Sequence, residues 1–323
     1  QLEYLYLNGN RLTNVDALVG LAKLKTLILS GNKLTDVSAL VKLKQLKYLH
    51  LGGNKKINPN TLVKLTQLKH LGLDSSRLTD ASPLAELKDL EKLYLGYNQL
   101  TDAAPLDKLT RLRILNLNHN QLTNAGPLAT LTQLWTLNLS DNQLTDAGPL
   151  AILTQLKDLN LENNQLTDAS PLARLTQLQR LKLYGNLLSD VRPLAKLTQL
   201  EDLHLTCSQL TDVGPLEGLI KLKTLILSGK NQLADVSALA GLTQLKKLYL
   251  SYNRLTDVSP LAKLTQLESL FLRNNQLSNV SVLMGLTKLT HLDLCDNPSL
   301  TKAGIDKLQK ALPKCKISHN TKK

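Results

Sequence analysis

The sequence predicts an α/β solenoid: a right-handed superhelix with a concave parallel β-sheet, convex 3₁₀ or short-helix turns, and a C-terminal α-helical cap. Three observations predict it. Leucine dominates the apolar residues, whereas Phe, Trp and Met occur once each in 323 residues. Interiors pack like a jigsaw of mixed shapes, so a core this large built from one side chain implies one small unit used many times. The unit is visible directly: first leucines fall every 22 residues at Leu2, Leu24, Leu46, Leu68, Leu90, Leu112, Leu134, Leu156, Leu178, Leu200 and Leu222. One extra residue near Lys230 shifts the series to Leu245, Leu267 and Leu289. Within each unit a short period-two alternation is followed by turn residues, the pattern of a strand with one inward face.

The unit beginning at Leu156 shows each element in order. Leu159 and Leu161 alternate with polar residues and define the strand, with its third, fifth, seventh and eighth positions facing outward. Asn164, at the ninth position, can satisfy backbone groups where the strand leaves the sheet, and stacked copies would form a ladder. Ser76 and Ser208 replace that asparagine, so the ladder should weaken there. Thr167-Asp168 suits a helix N-cap, and Pro171 fits the first turn of a short 3₁₀ helix. The leucines after it return to the core. A single unit cannot bury them; stacking can, at about 1.5–3 kcal/mol per leucine before chain entropy is subtracted.

This reading places about fourteen repeats in residues 1–300, with no N-terminal cap, and a helix-strand cap with a basic tail in 301–323. In the cap Ile305, Leu308 and Leu312 share one helix face and Pro313 ends the helix. Aligned to the repeat, Cys315 and Ile317 take inward positions of a fifteenth strand and Asn320 the ladder position. Nothing similar precedes Leu2 in this sequence, so the N-terminal end of the core is expected either to be open, offering an end-to-end contact, or to be covered by a preceding segment, with a monomer as the basic expectation.

The string L-x-x-L-x-L-x-x-N-x-L is the leucine-rich-repeat signature. Its 22-residue length and the Thr-Asp-x-x-Pro-Leu turns at 167–172 and 256–261 resemble the bacterial internalin-type leucine-rich-repeat family over nearly the whole chain. The resemblance implies a curved solenoid whose concave face binds a host or partner protein, and it favours a secreted or cell-surface setting over a cytoplasmic one. Intracellular phosphatase-regulatory repeat proteins are similar in repeat length, so an intracellular scaffold or enzyme-regulatory subunit is the alternative.

The informative residues fall on the outward strand positions. These are four of the 22, yet all eight tyrosines occupy them, as does the single phenylalanine. All six histidines do too if His319 in the cap is included. Aromatics favour strands for packing reasons alone. That preference does not explain why they gather near the ends of the chain and give way to Asn116, Asn138 and Asn160 between. Tyrosine is large, fairly rigid and amphipathic, which suits a binding surface. The expected partner-binding residues are Tyr4, Tyr6, Tyr48, His50, His70, Tyr94 and Tyr97 in one cluster. The second cluster is Tyr184, His204, Tyr249, Tyr252, Phe271, Arg273 and His291. With strands about 4.8 Å apart, a peptide could fill one cluster, but only a folded protein or long polymer would reach both. Trp135, at the rim, reads equally as a contact residue or as covered lateral surface.

The formal net charge of +13 could mean nucleic acid, but the cations and the aromatics are apart. The outward positions mix Lys92, Arg180, Lys182, Lys247 and Arg273 with Asp74, Asp141, Asp158, Glu162, Asp202, Asp293 and Asp296. The excess lysine lies on the rim, the convex turns and the C-terminal region including Lys322 and Lys323, which reads as a solubilising surface. A protein partner is therefore expected rather than nucleic acid, and no stretch is apolar enough to span a membrane. No phosphate loop, nucleophile elbow, HExxH or CxxC occurs, and Gly229-Lys230 lacks the rest of a phosphate cradle. Neither an enzyme nor a cofactor is expected. A fortuitous metal site at His50, His70 and Asp74 is the weakest of the alternatives, and a glycan binder or the recognition half of a larger enzyme are others. Cys207 and Cys295 are expected to face outward and Cys315 inward, which argues against a Cys295–Cys315 disulfide.

Overall fold

The computed structural model describes residues 2–206, 210–229 and 232–321. The expectations for Cys207, Ser208, Lys230, Lys322 and Lys323 lie outside these residues. The chain forms two compact units, Gln1–Asn164 and Gln165–Lys323.

In the first unit eight three-residue strands run parallel: β1 (Tyr4–Tyr6), β2 (Thr26–Ile28), β3 (Tyr48–His50), β4 (His70–Gly72), β5 (Lys92–Tyr94), β6 (Ile114–Asn116), β7 (Thr136–Asn138) and β8 (Asp158–Asn160). Each pairs with the next one repeat on, as in Leu115↔Leu137. The second unit holds β9 (Arg180–Lys182), β10 (Asp202–His204), β11 (Thr224–Ile226), β12 (Lys247–Tyr249), β13 (Ser269–Phe271), β14 (His291–Asp293) and β15 (Lys316–Ser318). Its strands are parallel as well, and the pairing Ile226↔Tyr249 absorbs the one 23-residue repeat without slipping a side chain to the wrong face. Short 3₁₀ turns such as Ser170–Arg174 link the strands, and one α-helix, α1 (Lys302–Ala311), lies near the C-terminal end.

The leucines of the repeat fill the interior; Leu115, Leu117, Leu122, Leu128, Leu131 and Leu134 are all 0% exposed. In the first repeat Leu2 is 46% exposed and Leu5, Leu7 and Leu12 are half-buried. The ladder asparagines are buried and tie each repeat to the one before it. Asn142 Nδ2 donates to Leu117 O and Leu139 O, both at 3.0 Å, while its Oδ1 accepts from Leu122 N at 2.9 Å. At Ser76 that rung is missing, and the serine hydroxyl makes only a long contact of 3.4 Å to Asp74 O.

Two local expectations are corrected. The turn aspartates sit one residue before the N-cap: Asp168 Oδ1 accepts from Ser170 N, the first residue of the 3₁₀ turn, at 2.8 Å. The cap strand is shifted by two residues. Cys315 N donates to Leu312 O in a tight turn, so Ile317, not Cys315, stands beside Leu292. Asn320 therefore misses the ladder; it is exposed and its Oδ1 accepts from Asp296 N at 2.8 Å. His319 falls level with an inward leucine, is half-buried, and leaves the outward face with five histidines rather than six. The α1 face Ile305, Leu308 and Leu312 is buried as the periodicity predicts, and Cys295 and Cys315 are both free thiols.

Candidate binding face

The outward face is built by backbone demands as much as by side chains. At the eighth position every described repeat takes a left-handed conformation, from Gly9 at φ 70° to Asp296 at φ 57°. This conformation lets the amide reach across to the next repeat, as Tyr97 N does to Asn118 O at 2.9 Å, and turns the ladder asparagine inward. Glycine adopts it freely and other residues at a cost. Five repeats use glycine there, whereas Tyr97 and Tyr252 hold φ 55° and 60° with 56% and 48% of their surface exposed.

The middle asparagines have a structural task that the sequence did not reveal. Because the ladder takes the carbonyl that a seventh-position amide would otherwise use, that amide needs another acceptor. Asn116, Asn138 and Asn160 fold back and supply it, accepting from Asn118 N, Ser140 N and Glu162 N at 2.9–3.0 Å. Asp293 does the same for Cys295 N. The Asn-rich stretch is thus a row of local caps.

In the first unit Tyr4, Tyr6, Tyr48 and Tyr97 project into solvent, while His50 and Tyr94 are half-buried. Tyr48 tilts over His70 with ring centroids 4.0 Å apart, and His50 lies 6.0 Å from Tyr94 across Gly72. His70 is a correction: it occupies an outward position but is only 9% exposed, so it supports Tyr48 rather than offering a contact surface. Burial, with Lys92 close by, pushes its pKa down to about 4. Desolvation lowers His50 and raises the nearby Asp74 and Tyr94. Further along the eighth position Tyr97 stacks on His119 at 4.1 Å, and His119 Nε2 lies 3.2 Å from Asp141 Oδ2.

The His70 shift sets a pH dependence. Its folded pKa lies below the unfolded value of about 6.5, so the folded state prefers the neutral ring. That contribution is complete above about pH 6.5 and is lost as the pH falls toward 4. Wild-type stability should drop by roughly 2 kcal/mol across this window relative to a His70→Gln variant. Urea midpoints of the two proteins at pH 7 and pH 4.5 measure it, and parallel midpoints would exclude His70 as the cause.

In the second unit Tyr249 and Phe271 stack with centroids 4.6 Å apart and planes 5° from parallel. Tyr184, Tyr252, Arg273 and His291 are exposed. His204 Nε2 approaches Asp202 Oδ1 at 3.1 Å, and Arg273 Nε donates to Asp296 Oδ2 at 2.8 Å. The pairings put His204, Ile226, Tyr249 and Phe271 side by side, and Ile28 stands likewise between Tyr6 and His50. Ile28 and Ile226 therefore extend the clusters; an apolar β-branched residue at the fifth position was the available signal.

The rim is mostly self-neutralised. Glu3–Lys25, Lys69–Glu91, Glu201–Lys223 and Lys246–Glu268 pair between neighbouring repeats at 2.6–3.5 Å. Trp135 is held between the Arg113 guanidinium, 5.0 Å from its ring centroid, and the Lys157 ammonium at 5.7 Å. That is a cation–π arrangement along the edge, which covers part of a ring that stays 45% exposed. Among the described residues no group of three His, Cys, Asp or Glu is arranged to hold a metal ion, and no helix is long and apolar enough to cross a membrane.

A family model described as Leucine Rich repeats (2 copies) matches residues 1–42, 22–62, 66–108, 88–130, 132–174, 176–218, 220–263, 243–283 and 265–310. The chain is similar to the internalin InlF of Listeria monocytogenes, with 36% identity over 90% of this chain and 86% of that one, at a TM-score of 0.85. The Leptospira interrogans LRR protein LIC12759 is similar at 26% identity, 98% and 95% coverage, and a TM-score of 0.73. The TLR13–ssRNA13 complex contains a chain that is similar at 25% identity, with 98% and 50% coverage and a TM-score of 0.73. No curated protein matches the sequence.

Proposed function

Because the chain belongs to the internalin-type leucine-rich-repeat proteins, we propose that the outward face of its sheets binds a protein partner in a receptor- or adhesin-like role. The fold commonly serves as a protein–protein interaction module and is typically non-enzymatic. The observation that carries the reading is the pair Tyr97 and Tyr252. Each is exposed in a left-handed conformation where glycine would be unstrained. Strain of order 1–2 kcal/mol per residue is retained when a side chain serves something other than stability. An RNA partner, as in the TLR13–ssRNA13 complex, would call for cations beside the aromatic rings. The exposed tyrosines of the first unit have Lys92 as the only cation on their outward strand positions β1–β5, which favours protein.

Tyr252 makes no ring stack among the described residues, so it separates strain from contact. Tyr252→Gly should leave the thermal midpoint unchanged or slightly raised, and Tyr252→Ala should lower it, because alanine keeps the strain and loses the ring. Both should weaken a partner captured by the wild-type chain about tenfold or more. Undiminished affinity of both variants for that partner would remove the outward face from the interaction.

A further inference from the structure

The outward face of the first unit carries three glycines found at no other comparable position. Gly72 is the one glycine at any fifth position, and Gly52 and Gly96 are the two at any seventh. All three surround Asp74. Bare backbone lets neighbours lean in: His50 Nδ1 occupies the place of a Cβ on Gly72, and Asn118 Oδ1 occupies that of a Cβ on Gly96. Asp74 Oδ1 stands 3.0 Å from the same point over Gly96 and accepts from Gly96 N at 2.9 Å.

Two oxygens therefore converge above one glycine. Asn118 Oδ1 is buried and accepts no hydrogen bond. Asp74 forms no ion pair among the described residues, whereas Asp141, Asp202 and Asp296 pair with His119, His204 and Arg273. Burial holds the Asp74 carboxyl above its usual range and keeps His50 from supplying a cation. A half-buried carboxylate and an orphaned amide oxygen lie together beside Tyr94 and Tyr97, with no cation paired to them among the described residues. Such a set matches a flat cation with several N–H groups.

The geometry points to a receptor for an arginine side chain of the protein partner, its guanidinium seated between Asp74 and Asn118 beside Tyr94. The inference rests on the partner being a protein bound on this face. Guanidinium is favoured over ammonium because its planar fork can bridge two acceptors while lying against a ring. It also gives the desolvated carboxylate a role, since an unpaired buried charge is compensated only when its counterion arrives. An Asn118 amide turned to donate to Asp74 would instead close the site. Asn118→Asp separates the two arrangements: a second carboxylate strengthens a cation receptor and repels Asp74 in a closed one.

The test is a titration of the ¹⁵N-labelled chain with N-acetyl-arginine amide and, in parallel, with the uncharged N-acetyl-citrulline amide. The readout is the Gly96 amide, which Asp74 holds. Expected are a saturable shift with arginine, at least tenfold weaker binding of citrulline, loss in Asp74→Asn, and tighter binding in Asn118→Asp. Asp74→Asn keeps an oxygen for Gly96 N, so its loss of binding would report charge rather than unfolding. Equal responses to the two ligands, a shift that survives Asp74→Asn, or an unmoved Gly96 at the solubility limit would overturn the assignment. Such a failure leaves the Tyr252 test untouched, because that readout does not pass through Asp74.

Discussion

Replacing Asn142 by alanine should cost the protein about 4 kcal/mol of stability, measured as a shift in its urea denaturation midpoint. The residue is 7% exposed, and its side chain makes four hydrogen bonds to backbone: it accepts from Leu122 N and donates to Leu117 O, Leu139 O and Ser140 O. Removing it orphans the buried Leu122 amide, at about 1–3 kcal/mol in an apolar interior. It also takes one of two donors from Leu117 O and Leu139 O, which keep Asn120 and Asn164, at about 0.5–1.5 kcal/mol per lost bond. Asn142→Asp should be no milder, because it retains an acceptor for Leu122 N but turns a second oxygen toward the carbonyls. Asn163→Gly is the control, because Asn163 holds φ 51° and alanine there would add backbone strain. Its amide contacts only the Asp141 side chain on the exposed edge, and its loss should cost under about 1 kcal/mol. A midpoint for Asn142→Ala within error of that control would mean that water replaces the ladder at little cost.

The second large effect concerns binding. Alanine at Tyr249, Tyr252 and Phe271 together should reduce affinity for the captured protein partner about 100-fold or more, as expected for clustered aromatic anchors. The cost to stability should stay near 1 kcal/mol, since the Tyr249–Phe271 stack lies on the face and not in the leucine core. Circular dichroism melts and binding isotherms on the same preparations separate the two. Retained affinity would move recognition to the first unit or off the sheet. A matched variant at Tyr4, Tyr6 and Tyr48 distinguishes these, because those rings belong to the other cluster.

Much of this architecture is legible in the residues. Leu159 and Leu161 announce a strand by alternation, and Asn164 announces a ladder because a polar residue fixed beside six leucines needs buried partners. Four things were not legible. The register of β15 depends on how many residues the turn from Leu312 to Cys315 consumes, and no repeat supplies a template for a turn after a true α-helix. The left-handed backbone at Tyr97 and Tyr252 leaves no trace in hydrophobic periodicity, although glycine at the same position in five repeats was a sign of it. The folding-back of Asn116, Asn138 and Asn160 is hidden for a different reason. An asparagine that serves its own strand and one that awaits a ligand look identical in sequence. The burial of His70 is hidden as well, because its position faces outward while the neighbouring Tyr48 covers it.

The ladder has a consequence for heredity. Asn120 reaches back to Leu100 N and Leu95 O, so each repeat is completed by its successor and owns only part of its own bonding. Loss or duplication of 22 codons between regular repeats rejoins each donor to an equivalent acceptor. The 23-residue repeat keeps its rung, because Asn253 still donates to Leu227 O and accepts from Leu233 N, whereas a change of several residues inside a strand would leave a rung unmatched. Such a gene can lengthen or shorten by unequal recombination with little penalty, and whole repeats are the steps that leave the pattern unbroken.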